Sequence, residues 1–349
     1  MEELCLAAAS CPAVQWRHVL CLLFNTFLGH YFSVSTFGRK CLMKCSWLLR
    51  AACAITLLSL TSSAMAAVIV NDTWLDGEDD SPAGPTFSEA GVDSDLDGDL
   101  ESAWFQGGGG TLNPVGPGGP LRGEVIATSS SWTTYFTAEG SELTLANDGD
   151  ALKVKWVYSV SGLGPGNTSQ NHRLAVVDSP AGTRISAPGS PGSGAYAGYA
   201  MFMNMSPTLG NSNPYRLMER GASGDVLGAS GNWSPLANGA TTGNTGYANG
   251  VSYTYEMTLT RNGTSLDIVS TMTGGNLNNA GFATVVFNDP SPNTFSFDTF
   301  ALRPTNAGTT AATFDTTLFR VDFIPAVPEP TSVALLGLSA LAFVLRRQR

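Results

Sequence analysis

Between residues 67 and 324 no segment repeats its apolar positions every 3.6 residues, while one stretch alternates strictly. Leu152, Val154, Trp156, Tyr158 and Val160 interleave with Lys153, Lys155, Val157 and Ser159. Successive side chains of a strand point to opposite faces, so this spacing predicts a strand with one buried and one wetted face. Further strands are predicted at 123–128, 133–137, 173–177, 196–205, 215–220, 283–287, 294–303 and 313–324. Gly and Pro punctuate the gaps between them.

Asn262-Gly263 is the clearest turn, because that dipeptide suits the type I′ geometry of two-residue hairpins. With Asn262-Gly263 as the loop, Arg261 pairs with Thr264. Leu259 then faces Leu266, Met257 faces Ile268 and Tyr253 faces Met272. Thr260 with Ser265 and Thr258 with Asp267 occupy the other face, where Val269 is the lone apolar residue.

Many strands, no helix and one domain's length define an all-β class, a two-sheet antiparallel jelly-roll sandwich. An N-terminal signal segment and a single hydrophobic C-terminal helix flank it. An immunoglobulin-like pair of sandwiches is the second reading. The pieces Trp74-Leu75-Asp76-Gly77, Ala103-Trp104-Phe105, Gly149-Asp150-Ala151-Leu152 and Phe297-Asp298-Thr299-Phe300-Ala301-Leu302-Arg303 resemble those of concanavalin-A-like (laminin-G-like) jelly rolls. That resemblance implies a fold often used to bind carbohydrate.

The ends of the chain carry addresses. Pro328 and Pro330 flank Glu329 and prevent a helix from starting before Thr331. An uncharged stretch over 331–345 follows, and Arg346 and Arg347 begin a basic end. About 15 helical residues span roughly 22 Å, so crossing a bilayer requires snorkelling arginines and local thinning. The basic end stays cytoplasmic by the positive-inside rule. This tail resembles the bacterial PEP-CTERM sorting signal, through Pro328-Glu329-Pro330, the apolar run and Arg346-Arg347. The resemblance implies an exosortase as partner, loss of the helix on processing, and delivery to the cell surface or extracellular polymer.

At the other end, the basic residues of 43–50, the apolar run 51–60 and Ala64-Met65-Ala66 form a secretory signal beginning at Met43, for export through the Sec translocon. Residues 1–42 are expected to be an upstream extension. The alternative is a 66-residue leader with 20–34 as an extra membrane segment. The expected organisation is thus an extension at 1–42, a signal at 43–66, an ectodomain at 67–324 and a sorting signal at 325–349.

All six cysteines lie at or before Cys53, so the ectodomain has neither disulfides nor a thiol nucleophile. A domain of about 260 residues can be held by core burial alone. It carries 25 Asp/Glu against 10 Lys/Arg, a net charge of −15. Such acidity excludes nucleic acid and anionic membrane surfaces as partners.

Asp93, Asp95, Asp97, Asp99 and Glu101 place carboxylates at every second position, with Gly98 after the third. This is the spacing with which helix-free loops converge on Ca2+, the glycine allowing the sharp turn. An EF-hand needs an acid at its twelfth position, where Trp104 stands. The neighbouring run Asp76-Gly77-Glu78-Asp79-Asp80 either belongs to the same site or is plain surface charge, and surface charge is the expectation.

Catalysis has little to work with. His172 is the one histidine of the ectodomain and reads as a surface residue. No G-x-S-x-G elbow and no E-x-D-x-E triplet accompanies it. Sugar-stacking surfaces are expected in loops around Trp233, Tyr199 and Tyr215, with Trp156 in the core. The sequence therefore describes a non-catalytic, exported surface or matrix protein interacting with extracellular polysaccharide. The alternatives are a purely structural surface protein without a specific ligand and, last, a glycan-active enzyme.

Overall fold

The structure, a computed structural model, describes residues 65–326 except 83, 85 and 128. The expected extension, nearly all of the signal segment and the sorting tail beyond 326 lie outside the described residues. No described helix is long and apolar enough to cross a membrane.

Seventeen strands follow one another: β1 (Ala67–Asp72), β2 (Trp104–Gly108), β3 (Thr111–Pro114), β4 (Leu121–Glu124), β5 (Ser130–Tyr135) and β6 (Leu143–Thr144). Next come β7 (Ala151–Leu163), β8 (His172–Asp178), β9 (Ala197–Met203), β10 (Tyr215–Arg220) and β11 (Trp233–Asn238). The last are β12 (Ser252–Asn262), β13 (Ser265–Thr273), β14 (Phe282–Asp289), β15 (Ser296–Phe297), β16 (Thr299–Arg303) and β17 (Ala311–Ile324). Two three-residue 3-10 turns are the only helical pieces among the described residues.

Every strand pair is antiparallel. An eight-stranded sheet runs β14-β13-β12-β7-β17-β4-β3, with β1 also on β17. A seven-stranded sheet runs β11-β10-β9-β8-β16-β5-β2, and β15 with β6 makes a small ribbon. The predicted two-sheet antiparallel sandwich is the observed architecture.

The alternation in β7 is realised as read: Leu152, Val154, Trp156, Tyr158 and Val160 are buried, while Lys153, Lys155, Val157 and Ser159 are half-buried on the outer face. Trp156 and Tyr158 stack with centroids 3.8 Å apart, and the Trp156 Nε1–H donates to Thr316 Oγ1 at 3.0 Å. Phe314, Phe319, Phe300, Trp104 and Trp132 continue this aromatic core across both sheets.

The hairpin of β12 and β13 forms with a different loop. Asn262 pairs with Ser265, leaving Gly263-Thr264 as the two-residue turn. Leu259 therefore faces Ile268, Met257 faces Ser270 and Tyr255 faces Met272. Gly263 has φ +63° and Thr264 lies outside the positive region, the type II′ pattern in which glycine comes first. The register moves by two residues, one full side-chain period, so every residue keeps its expected face.

The seven-stranded sheet is buried on both sides. Leu174, Val176, Tyr199, Met201, Met203 and Leu217 enter the main core. Ala175, Val177, Ala200, Phe202, Met218 and Ala301 face outwards into a second cluster, closed by Tyr196, Val226, Leu227 and Trp233. Burial on both faces explains why β9 is a continuous apolar run without alternation. The expected strand 294–303 is broken by Asp298, fully buried, which accepts from Ser179 N and Oγ and pairs with Arg184 at 2.7 Å.

His172 corrects the surface reading: it is fully buried, its ring packed against Trp156, Tyr158, Tyr247 and Phe314. Neither ring nitrogen has a hydrogen-bond partner among the described residues, and burial pulls its pKa down from 6.5 to about 3. The unfolded chain then binds a proton that the native state refuses. Stability contributed by the neutral ring is present above pH 6.5 and is lost as pH falls towards about 3. The loss is on the order of 5 kcal/mol over that window. His172→Leu should flatten the acid limb of urea-derived stability against pH and raise the melting temperature at pH 5; an unchanged acid limb would refute this origin.

Candidate functional site

The densest chemistry lies where β1 meets the segment leading to β2. Asn71 and Leu100 exchange backbone hydrogen bonds, and two carboxylates rivet the same contact. Asp72 accepts from Ser102 N and Oγ through Oδ2, and from Trp74 N through Oδ1. Asp99 Oδ2 accepts from Thr73 N and Oγ1 at 2.9 and 3.0 Å. Burial raises Asp72 to about 7 in spite of these bonds.

The loop 89–101 is shaped by its own carboxylates. Leu96 N donates to Asp93 Oδ1, Asp97 N to Asp95 Oδ1 and Asp99 N to Asp97 Oδ1. Glu89 Oε1 accepts from Ser94 N and Oγ, and its Oε2 from Glu101 N. Gly98 sits at φ +108°, a conformation that side-chain-bearing residues avoid, which gives the glycine in the motif its function.

Three overlapping carboxylate groups result, each with ligand oxygens within 4.8 Å of one another: Asp76 with Asp97 and Glu101, Glu89 with Asp95 and Glu101, and Asp93 with Asp95 and Asp97. Ligands on opposite sides of a calcium ion stand about 5 Å apart, since each bond is about 2.4 Å. Glu101 belongs to two of these groups. It is 4 % exposed, and its carboxylate accepts no hydrogen bond among the described residues. Burial first, then the charges of Asp76, Asp95, Asp97 and Glu89, push it up to about 9. Asp99 Oδ1 is buried without a partner among the described residues. The protein thus gathers hard oxygen donors and leaves their mutual repulsion uncompensated by any side-chain cation.

The carboxylates brought together differ from the expected set in three places. Asp76 joins the cluster rather than serving as surface charge, because the turn through Gly77 brings 76 beside 97 and 101. Glu89 is a member with no spacing pattern to announce it; only its place just ahead of the acidic run hinted at it. Asp99 spends one oxygen on Thr73.

The expected sugar-stacking rings are inside. Trp233 opens β11 at 4 % exposure, with Phe202 at a centroid distance of 5.9 Å and the Arg220 guanidinium 5.1 Å from its ring. The flanking Gly-Asn and Ser-Pro pairs suggested a loop, but Pro235 is tolerated in β11 because this is an edge strand. Tyr199 is fully buried and donates to Asp289 Oδ2 at 2.6 Å. Tyr215 is buried at the sheet interface, its hydroxyl 2.9 Å from Ser270 Oγ.

A family model for the PEP-CTERM protein-sorting motif matches residues 326–349. No curated protein matches the chain. Among solved structures, the chain is similar to the VIP36 exoplasmic/lumenal domain in its Ca2+/Man2-bound form, at 11% identity over 65% of this chain and 83% of that one, with a TM-score of 0.39. It is similar to the Emp47p carbohydrate recognition domain at 12% identity, covering 64% and 89% with a TM-score of 0.36. Peanut lectin with a 9mer peptide follows at 9% identity, 63% and 90% coverage and a TM-score of 0.37. The strand pairing defines the sandwich independently of these neighbours, and no ligand transfers from them. The C-terminal match marks the chain as an exported protein.

Because Trp233 holds the second core cluster together, Trp233→Ala should act on stability. A loss of about 3–5 kcal/mol is expected from such a truncation. Chemical denaturation measures it, and a loss below about 1 kcal/mol would show the ring to be dispensable for packing.

Proposed function

We propose that this chain is an exported, non-catalytic surface or matrix protein whose 76–101 region takes one divalent cation, and whose sandwich interacts with extracellular polysaccharide. The sorting motif supports the location and implies an exosortase as processing partner, with the Sec translocon upstream. Membrane contact is confined to the transient C-terminal helix, and nucleic acid is excluded by charge.

The cation reading rests on Glu101, a residue 4 % exposed whose carboxylate accepts no hydrogen bond among the described residues and has four further carboxylates around it. Five acidic side chains offer only oxygen, the donor set of Ca2+ rather than of thiolate- or imidazole-seeking metals. Asp76, Glu89, Asp95, Asp97 and Glu101 would hold the ion, with Asp93 at the rim. Its role is structural: it would lock the 76–101 region against β1. The non-catalytic reading is supported by the burial of His172, which keeps the sole ectodomain histidine away from any substrate. A structural protein without a specific ligand is the second reading, favoured by the burial of the three candidate aromatic rings.

Calcium at a hundredfold excess over its dissociation constant should stabilise the fold by about 2.7 kcal/mol, visible as a melting shift of several degrees that EDTA reverses. Glu101→Gln should melt close to the parent in EDTA at pH 7, where the Glu101 carboxyl, pushed up to about 9, already carries its proton, and should lose most of the calcium shift. Identical melting with calcium and with EDTA would remove the cation from this reading.

A further inference from the structure

Half of the ectodomain's ten basic residues have acidic partners. Arg122, Lys153, Lys155, Arg184 and Arg320 account for all ion pairs among the described residues. In a domain carrying 25 carboxylates, the other five arginines are the anomaly, and two of them face each other. Arg173 in β8 and Arg303 in β16 are directly opposed register partners on the outer face of the seven-stranded sheet. Like charges placed directly opposite on a sheet destabilise it.

Backbone dipoles hold these guanidiniums in place. Arg173 Nη1 donates to Leu227 O and Gly228 O at 3.1 Å each, and Arg303 Nη1 donates to the same two oxygens at 3.3 and 3.1 Å. Arg173 Nε is taken by Gln170 O and Arg303 Nε by Ser129 Oγ. Arg220 collects the preceding carbonyls, Gly224, Asp225 and Val226, so five consecutive carbonyls of one loop point at three arginines. The Arg173 guanidinium also lies 4.5 Å from the Phe202 ring centre, which fixes its plane.

The Nη2 group of each opposed arginine is left over. Neither donates a hydrogen bond among the described residues, and neither is among the fully enclosed atoms lacking a partner, so each keeps some contact with solvent. Asp225, whose charge acts on Arg303, is engaged with Ser193 and forms no ion pair with either arginine. The result is a rigid pair of cationic N–H edges, pre-oriented and without a salt bridge among the described residues. Guanidinium edges of this kind recognise oxyanions through charge-assisted hydrogen bonds.

We propose that Arg173 and Arg303 form a site for the carboxylate of an acidic sugar residue in an otherwise sparsely charged glycan. This deepens the polysaccharide reading above and rests on it. The net charge of −15 repels a uniform polyanion at long range, while an isolated carboxylate meets mainly the local pair. A sulfate ester offers the same oxyanion chemistry, and the test separates the two.

Calorimetric titration of the purified protein, in calcium buffer, should use a glucuronate-terminated oligosaccharide, its neutral glucose-terminated counterpart and a sulfated counterpart. The glucuronate form should bind best, and the neutral form about tenfold more weakly or worse. Arg173→Met and Arg303→Met should each weaken glucuronate binding at least about tenfold, while Arg320→Met on the other sheet leaves it unchanged. Should the methionine variants fail to fold, Arg303→Lys keeps the charge without the planar fork and is expected to fold and bind more weakly. Binding of the neutral form equal to that of the glucuronate form, insensitive to these variants, would overturn the site while leaving the polysaccharide reading intact. Tighter binding of the sulfated form would overturn the carboxylate assignment, and no heat with any glycan would overturn both readings.

Discussion

The ladder between β7 and β17 is the interaction on which the rest of the molecule depends. It runs from Ala311–Leu163 to Ile324–Ala151 and places Trp156 and Tyr158 against Phe314, Thr316 and Phe319. The other edge of β17 receives β4 along Thr313–Thr316 and β1 along Phe319–Phe323. Three segments distant in sequence are thus organised by the last strand of the domain. Contacts this remote are entropically expensive to close and reward the chain only once the final strand arrives. The eight-stranded sheet therefore cannot close until residue 324 is available, which in an exported protein means after nearly the whole ectodomain has crossed.

What was legible in the sequence follows from how many environments a strand meets. β7 and β12 have one wet face, so alternation showed both their existence and their buried sets. β9 is buried on both faces and could be recognised as apolar, yet not divided into an inner and an outer row. The β12–β13 hairpin shows the limit of turn chemistry. Asn-Gly fits type I′, but glycine at the first loop position fits II′ as well, and the energy separating them is small beside the burial of a whole face. A two-residue shift keeps that burial intact, so the sequence pattern could not choose between the registers.

The candidate sites failed or succeeded for related reasons. Carboxylates at every second position announce a loop turning around something, and the turns observed at Asp93, Asp95 and Asp97 are of that kind. Asp76 and Glu89 enter the cluster by tertiary folding and left no local trace. Trp233 and His172 were misplaced because a polar sequence neighbourhood was read as a wet one. Each opens a strand of the doubly covered sheet: Trp233 lies in the cluster that loops close as a second roof on the outer face, while His172 points inwards among the rings between the sheets.

That second roof also decides where recognition can occur. The inner rows are sealed by the other sheet, and the outer row of the seven-stranded sheet is closed by Tyr196, Val226, Leu227 and Trp233. Aromatic platforms are consequently spent on stability. Polar groups at the margin of the roof are what remain for a ligand, and there the protein departs from its acidic character. The carbonyls of 224–228 can cradle arginines only because the loop descends far enough to reach the sheet. Covering the apolar face and fixing Arg173 beside Arg303 are therefore one structural event, and a change that lifts the loop would expose the second core cluster and release the cationic pair together.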